Sequence, residues 1–93
     1  MSGPLAFMAY VGYILRSQTS GSYYVGQTKD LPKRLHRHNR GDMPATRHSR
    51  PWELVYTIEF ANRSEATQWE RQVKARKSRA YIDALIVERS AGH

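Results

Sequence analysis

The spacing of apolar and polar positions predicts two short strands near the start of the chain. Residues 10–16 (Tyr-Val-Gly-Tyr-Ile-Leu-Arg) are mostly apolar, β-branched or aromatic, which is typical of a strand. A turn cluster at 17–21 separates them from a second strand at 22–26, so the two form an antiparallel hairpin. Because the first strand has little polar alternation, we expect it in the centre of the sheet, covered on both faces.

A third strand, at residues 52–60, has the clearest period of two. We expect its core face to carry Trp52, Leu54, Tyr56, Ile58 and Phe60. The opposite face carries Glu53, Thr57 and Glu59.

A helix is predicted from residue 31 to about residue 39. Asp30 can cap its start, and Pro32 is tolerated in its first turn. Leucines at its first and fifth positions mark the buried side. Arg34 and His38, at i and i+4, flank this stripe and therefore point toward the sheet. The solvent-facing side carries Lys33, Arg37 and Arg40.

A second helix begins after Asn62, where Glu65 stands three residues later as in a capping box. Its buried stripe contains Ala66, Trp69 and Val73. Glu70 lies on the same stripe, and burying an unpaired carboxylate is costly, so this side chain needs a cation, a metal ion or water beside it. A last helix is predicted at residues 81–87.

The composition indicates one small domain. The chain has 93 residues, enough for a modest core, and no cysteine, which excludes disulfides and thiolate metal sites. No apolar run approaches the roughly 18 residues of a membrane span. We expect a disordered leader at 1–9, the domain at 10–88 and a frayed tail at 89–93, in a cytoplasmic protein.

The charge points to a polyanionic partner. The net charge is +7, and residues 29–50 carry seven Lys or Arg side chains against two Asp. A basic surface kept for solubility is the plain alternative, and an acidic membrane surface fits less well because no helix shows an interfacial apolar face. The expected nucleic-acid contacts are Lys29, Lys33, Arg37, Arg40, Arg47 and Arg50.

Five side chains stand out as candidates for chemistry, each with a plainer structural explanation. Tyr13 and Tyr24 are ordinary sheet tyrosines in most contexts, and Arg34 and Glu70 could simply pair with each other. His38 is favourable as a cap at the end of a helix. No zinc spacing, nucleophile elbow or glycine-rich phosphate loop is present in the sequence.

An ordered set of short motifs resembles the GIY-YIG endonuclease superfamily, and in particular its small stand-alone bacterial members. The resemblance runs from about residue 10 to residue 86 and rests on five segments. These are Val-Gly-Tyr at 11–13, Tyr-Val-Gly at 24–26, Thr-Lys-Asp-Leu-Pro-Lys-Arg at 28–34, His-Asn at 38–39 and Trp-Glu at 69–70.

The resemblance implies an α+β fold with a three-stranded antiparallel sheet flanked by helices. It also implies hydrolysis of DNA phosphodiester bonds with one divalent ion, magnesium or alternatively manganese, and no small-molecule cofactor. Tyr13 and Tyr24 match the motif tyrosines, and Arg34 would bind the scissile phosphate. His38 would act on the nucleophile or the phosphate, and Glu70 would be the only protein ligand of the metal ion.

The identity of the general base stays open. A tyrosine has an ordinary pKa of about 10, so Tyr13 or Tyr24 needs nearby cations to act near neutral pH, with Lys29 and Arg34 available. His38 is the other possibility, since its ordinary pKa is already close to neutral.

Two rival hypotheses remain beside an active endonuclease of low sequence specificity. Family members often carry an asparagine in the last helical part, and no asparagine follows Asn62 here. This favours a nucleic-acid-binding module that has kept the fold and lost hydrolysis. Alternatively, the domain acts only when tethered to a partner that selects the substrate.

Overall fold

The computed structural model describes residues 9–91 and has an α+β fold, as the sequence predicts. Its strands are β1 (Tyr10–Ser17), β2 (Tyr23–Thr28) and β3 (Trp52–Phe60). Its helices are α1 (Leu31–Arg40), α2 (Arg63–Arg76) and α3 (Arg79–Ala91), with a single 3-10 turn at Arg47–Ser49. The sheet is antiparallel in the order β2-β1-β3, which confirms the central position of the first strand.

The central strand separates two hydrophobic clusters. On one face, Ile14 packs with Val25, Tyr56 and Val73 under α2 and α3. On the other face, the buried side chains are Tyr13, Leu15 and Trp52, covered by the leucines of α1. Because successive residues of β1 alternate between these clusters, Tyr13 belongs to the α1 side of the sheet.

The prediction of one continuous core face on residues 52–60 is wrong. Two neighbouring residues of β1 pair with Leu54 and Tyr56, so Val55 is the extra residue of a β-bulge. The bulge shifts the alternation by one residue. Trp52 therefore packs on the α1 side, Tyr56 packs on the α2 side, and Leu54 is 37% exposed.

The predicted helix caps are present. The Asp30 carboxylate accepts from the backbone N–H of Lys33 at 3.1 Å, and the Asn62 side chain accepts from the N–H of Glu65 at 2.9 Å. The last helix is longer than predicted, so residues 89–91 continue α3 instead of fraying. The rest of the predicted tail and all of the predicted leader except Ala9 lie outside the described residues. Within residues 9–91, no helix is long and apolar enough to cross a bilayer.

Gly12 lets α2 approach the sheet closely. A Cβ atom at this position would lie 2.6 Å from two carbons of the Trp69 ring and 3.1 Å from Ile58. The first motif glycine is therefore needed for packing, and it brings the helix that carries Glu70 against the central strand.

Candidate active site

Asn39 holds the end of α1 against the start of β3. Its side-chain oxygen accepts from the backbone N–H of Trp52 at 2.6 Å, and its side-chain N–H donates to the Trp52 carbonyl at 3.2 Å. The indole N–H of Trp52 in turn donates to the carbonyl of Thr46 at 2.8 Å. These contacts place His38, the residue before Asn39, above the central strand and below the loop that contains Thr46.

His38 is fully buried and makes two side-chain hydrogen bonds. Its Nε2 lies 2.9 Å from the Tyr13 hydroxyl and its Nδ1 lies 2.8 Å from the Thr46 hydroxyl. The Thr46 hydroxyl also lies 3.4 Å from the carbonyl of Met43, to which it can donate. With the His38 proton on Nδ1, Nε2 accepts from Tyr13; with the proton on Nε2, both hydrogen bonds of the ring are reversed.

The surroundings of His38 favour its neutral form. Burial lowers its pKa from the ordinary value of 6.5 to about 4, and the charges of Arg34 and Arg37 act in the same direction. His38 is therefore a neutral imidazole near pH 7, with its Nε2 beside the Tyr13 hydroxyl.

This depressed pKa predicts a loss of stability in mild acid. Because the unfolded chain takes up a proton near pH 6.5 and folded His38 does so only near pH 4, stability falls as the pH drops between these values. A pKa difference of this size corresponds to at most about 3 kcal/mol. Urea unfolding between pH 4 and pH 7 measures the slope.

We expect His38→Gln to lose much of that slope, while His36→Gln, at an exposed position of the same helix, keeps it. An unchanged slope in His38→Gln would show that other groups cause the acid sensitivity.

Tyr13 is protonated at neutral pH in the isolated protein. Burial raises its pKa to about 12, and Tyr24 and Glu70 also raise it, whereas Arg34 lowers it. The sequence left open whether nearby cations make Tyr13 a phenolate. In the isolated protein they do not, because the effect of burial on its pKa exceeds that of Arg34.

Tyr24 completes the aromatic wall of the site. Its half-buried ring meets the ring of His38 edge-on at a centroid distance of 4.9 Å and lies 6.4 Å from the ring of Tyr13. The ammonium group of Lys74 lies 5.7 Å from the centroid of Tyr24. Tyr24 therefore connects the buried His38 to the side chains of α2.

Glu70 comes from α2 and has a cation as its partner. Lys74, one turn later, lies 2.6 Å from its carboxylate, so Glu70 takes this partner and not Arg34, the alternative that the sequence offered. The side chain of Glu70 is 22% exposed, which makes it half-buried and reachable from solvent. The structure thus brings Tyr13, Tyr24 and His38 into contact, and Lys74 lies between Tyr24 and Glu70. Arg34 and Glu70 are near enough to shift the pKa of Tyr13.

Gly26 makes room for Tyr13. It pairs with Tyr13 across the sheet, and a Cβ atom at this position would lie 2.6 Å from the Tyr13 hydroxyl oxygen and 2.7 Å from the ring carbon that carries it. The second motif glycine therefore serves the Tyr13–His38 hydrogen bond rather than a turn.

We expect Gly26→Ala to displace the Tyr13 hydroxyl and break its hydrogen bond to His38. The overpacking should destabilise the fold by about 1–3 kcal/mol. Urea unfolding measures the stability, and the ¹⁵N shifts of His38 report the hydrogen bond. Val25→Ala is the matched control, because Val25 is buried on the opposite face of the same strand. It should lose stability and keep the wild-type ¹⁵N shifts of His38. If Gly26→Ala also kept the wild-type His38 shifts, the steric argument would be contradicted.

A basic groove of about 350 Å³ runs beside these residues, between the end of β2 and α1. Arg34 lines it, and so do three of the predicted nucleic-acid contacts, Lys29, Lys33 and Arg37. Arg63, at the start of α2, adds a fifth cation from another element. The only carboxylate among the lining residues is Asp30, which is engaged in capping α1.

The other predicted contacts lie outside this groove. Arg40 pairs with Asp42, and Arg50 donates to the backbone carbonyls of Arg47 and Arg40 at 2.7 and 3.3 Å. Arg40 and Arg50 are thus engaged in holding the loop after α1, while Arg47 is exposed on the 3-10 turn.

Sequence analysis missed three participants: Thr46, Lys74 and Arg63. Lys74 carries a signal, since it stands four residues after Glu70 on a predicted helix. Thr46 lies in an irregular loop, and Arg63 becomes relevant only because the start of α2 reaches the basic groove. Neither has a local pattern that would identify it.

Comparisons with known proteins identify the family of this chain. The profile of the GIY-YIG catalytic domain matches residues 9–82. The chain is 41% identical over 85 residues to a UPF0213 protein of Bacillus pumilus, covering 87% of this chain and 86% of that relative. It is also 41% identical over 70 residues to the structure-specific endonuclease subunit slx1 of Schizosaccharomyces pombe, covering 66% of this chain and 25% of that protein.

A solved structure shows the same fold. The solution NMR structure of the UPF0213 protein BH0048 from Bacillus halodurans aligns with a TM-score of 0.55 and 36% sequence identity, over 86% of this chain and 84% of that one. The chain is similar to UPF0213 proteins over most of their length. It therefore belongs to the GIY-YIG catalytic domain family.

Proposed function

We propose that the protein is a metal-dependent endonuclease that hydrolyses phosphodiester bonds of DNA with little sequence specificity of its own. The observation that carries this proposal is the buried hydrogen bond between Tyr13 and His38. The pKa of the Tyr13 hydroxyl in this pair is lowered by Arg34 and raised by Glu70. The similarity to an endonuclease subunit supports the same reaction class. Low specificity follows from the basic groove, because contacts to phosphates carry no sequence information directly.

Glu70 is the residue that would hold the metal ion. Its carboxylate is a hard oxygen donor, partly exposed, of the kind that Mg²⁺ and Mn²⁺ prefer. Within residues 9–91, no three His, Asp or Glu side chains form a metal-binding group, so water and substrate oxygens would complete the coordination. A divalent ion bound there would polarise the phosphoryl oxygen and stabilise the leaving oxygen.

Arg34 would bind the phosphate under attack. Its half-buried side chain lines the groove and also lies close enough to Tyr13 to lower the pKa of that hydroxyl. A guanidinium in a partly dehydrated site stabilises the charge that develops on phosphate oxygens. The neighbouring groove cations then hold flanking phosphates.

Tyr13 and His38 would relay the proton of the attacking water. As the water gives a proton to the Tyr13 oxygen, the Tyr13 proton passes to Nε2 of His38, which leaves a hydroxide for phosphorus and a cationic imidazole. Arg34 and Arg37 lower the pKa of His38 in the isolated protein. Phosphates bound to these arginines would offset their charge and make His38 a stronger base.

The second candidate is a nucleic-acid-binding module that has lost hydrolysis. The observation that favours it is that Tyr13 holds its proton and His38 is neutral near pH 7 in the isolated protein. The pKa of Tyr13 is raised to about 12 and that of His38 is lowered to about 4, so neither group is an effective base near neutral pH without the substrate.

Incubation with single-stranded and duplex circular DNA separates the two candidates. The wild type is assayed with Mg²⁺, with Mn²⁺ and with a chelator, and a variant lacking Arg34, purified identically, controls for contaminating nucleases. We expect cutting that depends on the metal ion and on Arg34. Salt-sensitive binding without cutting, at any metal concentration, would reject the endonuclease and support the binding module.

A further inference from the structure

The exposed face of the first half of α2 carries a second group of cationic and polar side chains. Arg63, Thr67 and Arg71 stand at i, i+4 and i+8 and therefore form one stripe along the helix. Together with Ser64 and Gln68, they are the residues that line a shallow cavity of about 620 Å³. Arg, Ser, Thr and Gln are the side-chain types that donate to phosphate oxygens in protein–DNA contacts.

This stripe is continuous with the basic groove beside α1. Arg63 lines both cavities, so the two surfaces meet at its guanidinium. Glu70 lies seven residues after Arg63 and three after Thr67, which places it at the border of the same helix face. A strand that leaves the groove at Arg63 would therefore pass close to Glu70.

The charges of the stripe are free for a ligand. Within residues 9–91, neither Arg63 nor Arg71 makes an ion pair. The carboxylate of Glu65, two residues after Arg63, points back to accept from the backbone N–H of Ala61 at 3.4 Å. Glu70, at the border of the stripe, is already paired with Lys74. The stripe therefore presents uncompensated positive charge.

We propose that this stripe (Arg63, Ser64, Thr67, Gln68 and Arg71) binds the backbone of the nucleic-acid substrate beyond the reacting phosphate, as a second arm of the binding track. The inference rests on the proposed function, since it concerns the same substrate. From Arg63 to Arg71 the helix rises by about 12 Å, which spans roughly three to four nucleotides at 3.4 Å each. We therefore assign one phosphate contact to each of the two arginines.

Salt-dependent binding tests this assignment without any cutting. The affinity of the protein for a labelled oligonucleotide is measured in chelator from about 50 to 200 mM salt. We expect Arg63→Gln/Arg71→Gln to reduce the slope of log K against log salt by about 1.8 on duplex DNA or about 1.4 on a single strand. The control Arg16→Gln/Lys77→Gln removes the same charge from two exposed positions that do not line either cavity. It should keep the wild-type slope.

The outcomes separate this inference from the proposed endonuclease. If the stripe variant has the same slope as the control, the second arm is wrong, even if the wild type cuts DNA. If the slope falls as expected but the wild type cuts nothing, the proposed binding surface is supported and the proposed endonuclease activity is rejected. A variant that loses binding to poly-aspartate while keeping the wild-type slope on DNA would reject the nucleic-acid assignment and indicate an acidic protein partner.

Discussion

Arg34→Met should lower the rate of cutting at saturating DNA by about 100- to 1,000-fold, the usual effect of losing one donor to a developing oxyanion. Methionine keeps most of the apolar stem of arginine and removes its charge, so the fold should persist. Arg34 is the one cation that both lines the basic groove and acts on the Tyr13 hydroxyl. Single-turnover cutting with excess protein measures the chemical step directly.

Lys33→Met is the matched control. Lys33 lies on the same helix, lines the same groove and is exposed, but it acts on neither Tyr13 nor His38. We expect weaker and less salt-dependent binding with a nearly unchanged rate at saturation. If both variants cut at the wild-type rate once the DNA is saturating, Arg34 only holds the backbone and has no role in the chemical step.

Glu70→Gln should abolish metal-dependent cutting and weaken the binding of Mn²⁺ measured in the presence of uncut DNA. The amide has nearly the shape of the carboxylate but lacks the charge that a hard divalent ion needs. If Glu70 serves only as the partner of Lys74, its removal costs no more than a helical i,i+4 pair, about 0.3–0.5 kcal/mol, and leaves cutting intact.

Lys74→Met breaks the same ion pair from the other side and keeps the carboxylate. We expect this variant to retain Mn²⁺ binding and cutting. Equal losses in the two variants would assign importance to the ion pair itself and would remove the argument for Glu70 as a metal ligand. Urea unfolding of both variants shows whether either effect comes from the fold.

Much of the fold follows from local sequence rules. The hairpin, the two side-chain caps and the third strand form as their patterns predict, because turn residues, capping groups and alternation act over a few residues. The face assignment of the third strand does not follow, since the bulge at Val55 arises from pairing with β1. A local pattern contains no information on such a pairing irregularity.

The resemblance named the five candidate residues, but the sequence did not predict their electrostatics. The helical spacing of Arg34 and His38 is sufficient to place both toward the sheet, and His38 is indeed buried. The burial that raises the pKa of Tyr13 and lowers that of His38 results from the packing of β1 against α1 and from the loop that contains Thr46. Desolvation depends on this whole environment, and no motif reports it.

The sequence by itself determined the order of the elements and the local excess of positive charge, and its resemblance to one family named the five candidate residues. Spacing, capping and the resemblance to one family are all properties of short segments. Only the tertiary structure decided that the Tyr13 hydroxyl meets a buried, neutral His38 and that Arg63 joins the basic groove. Both arrangements join residues from different elements, and the first depends on the room that Gly26 leaves for the Tyr13 hydroxyl.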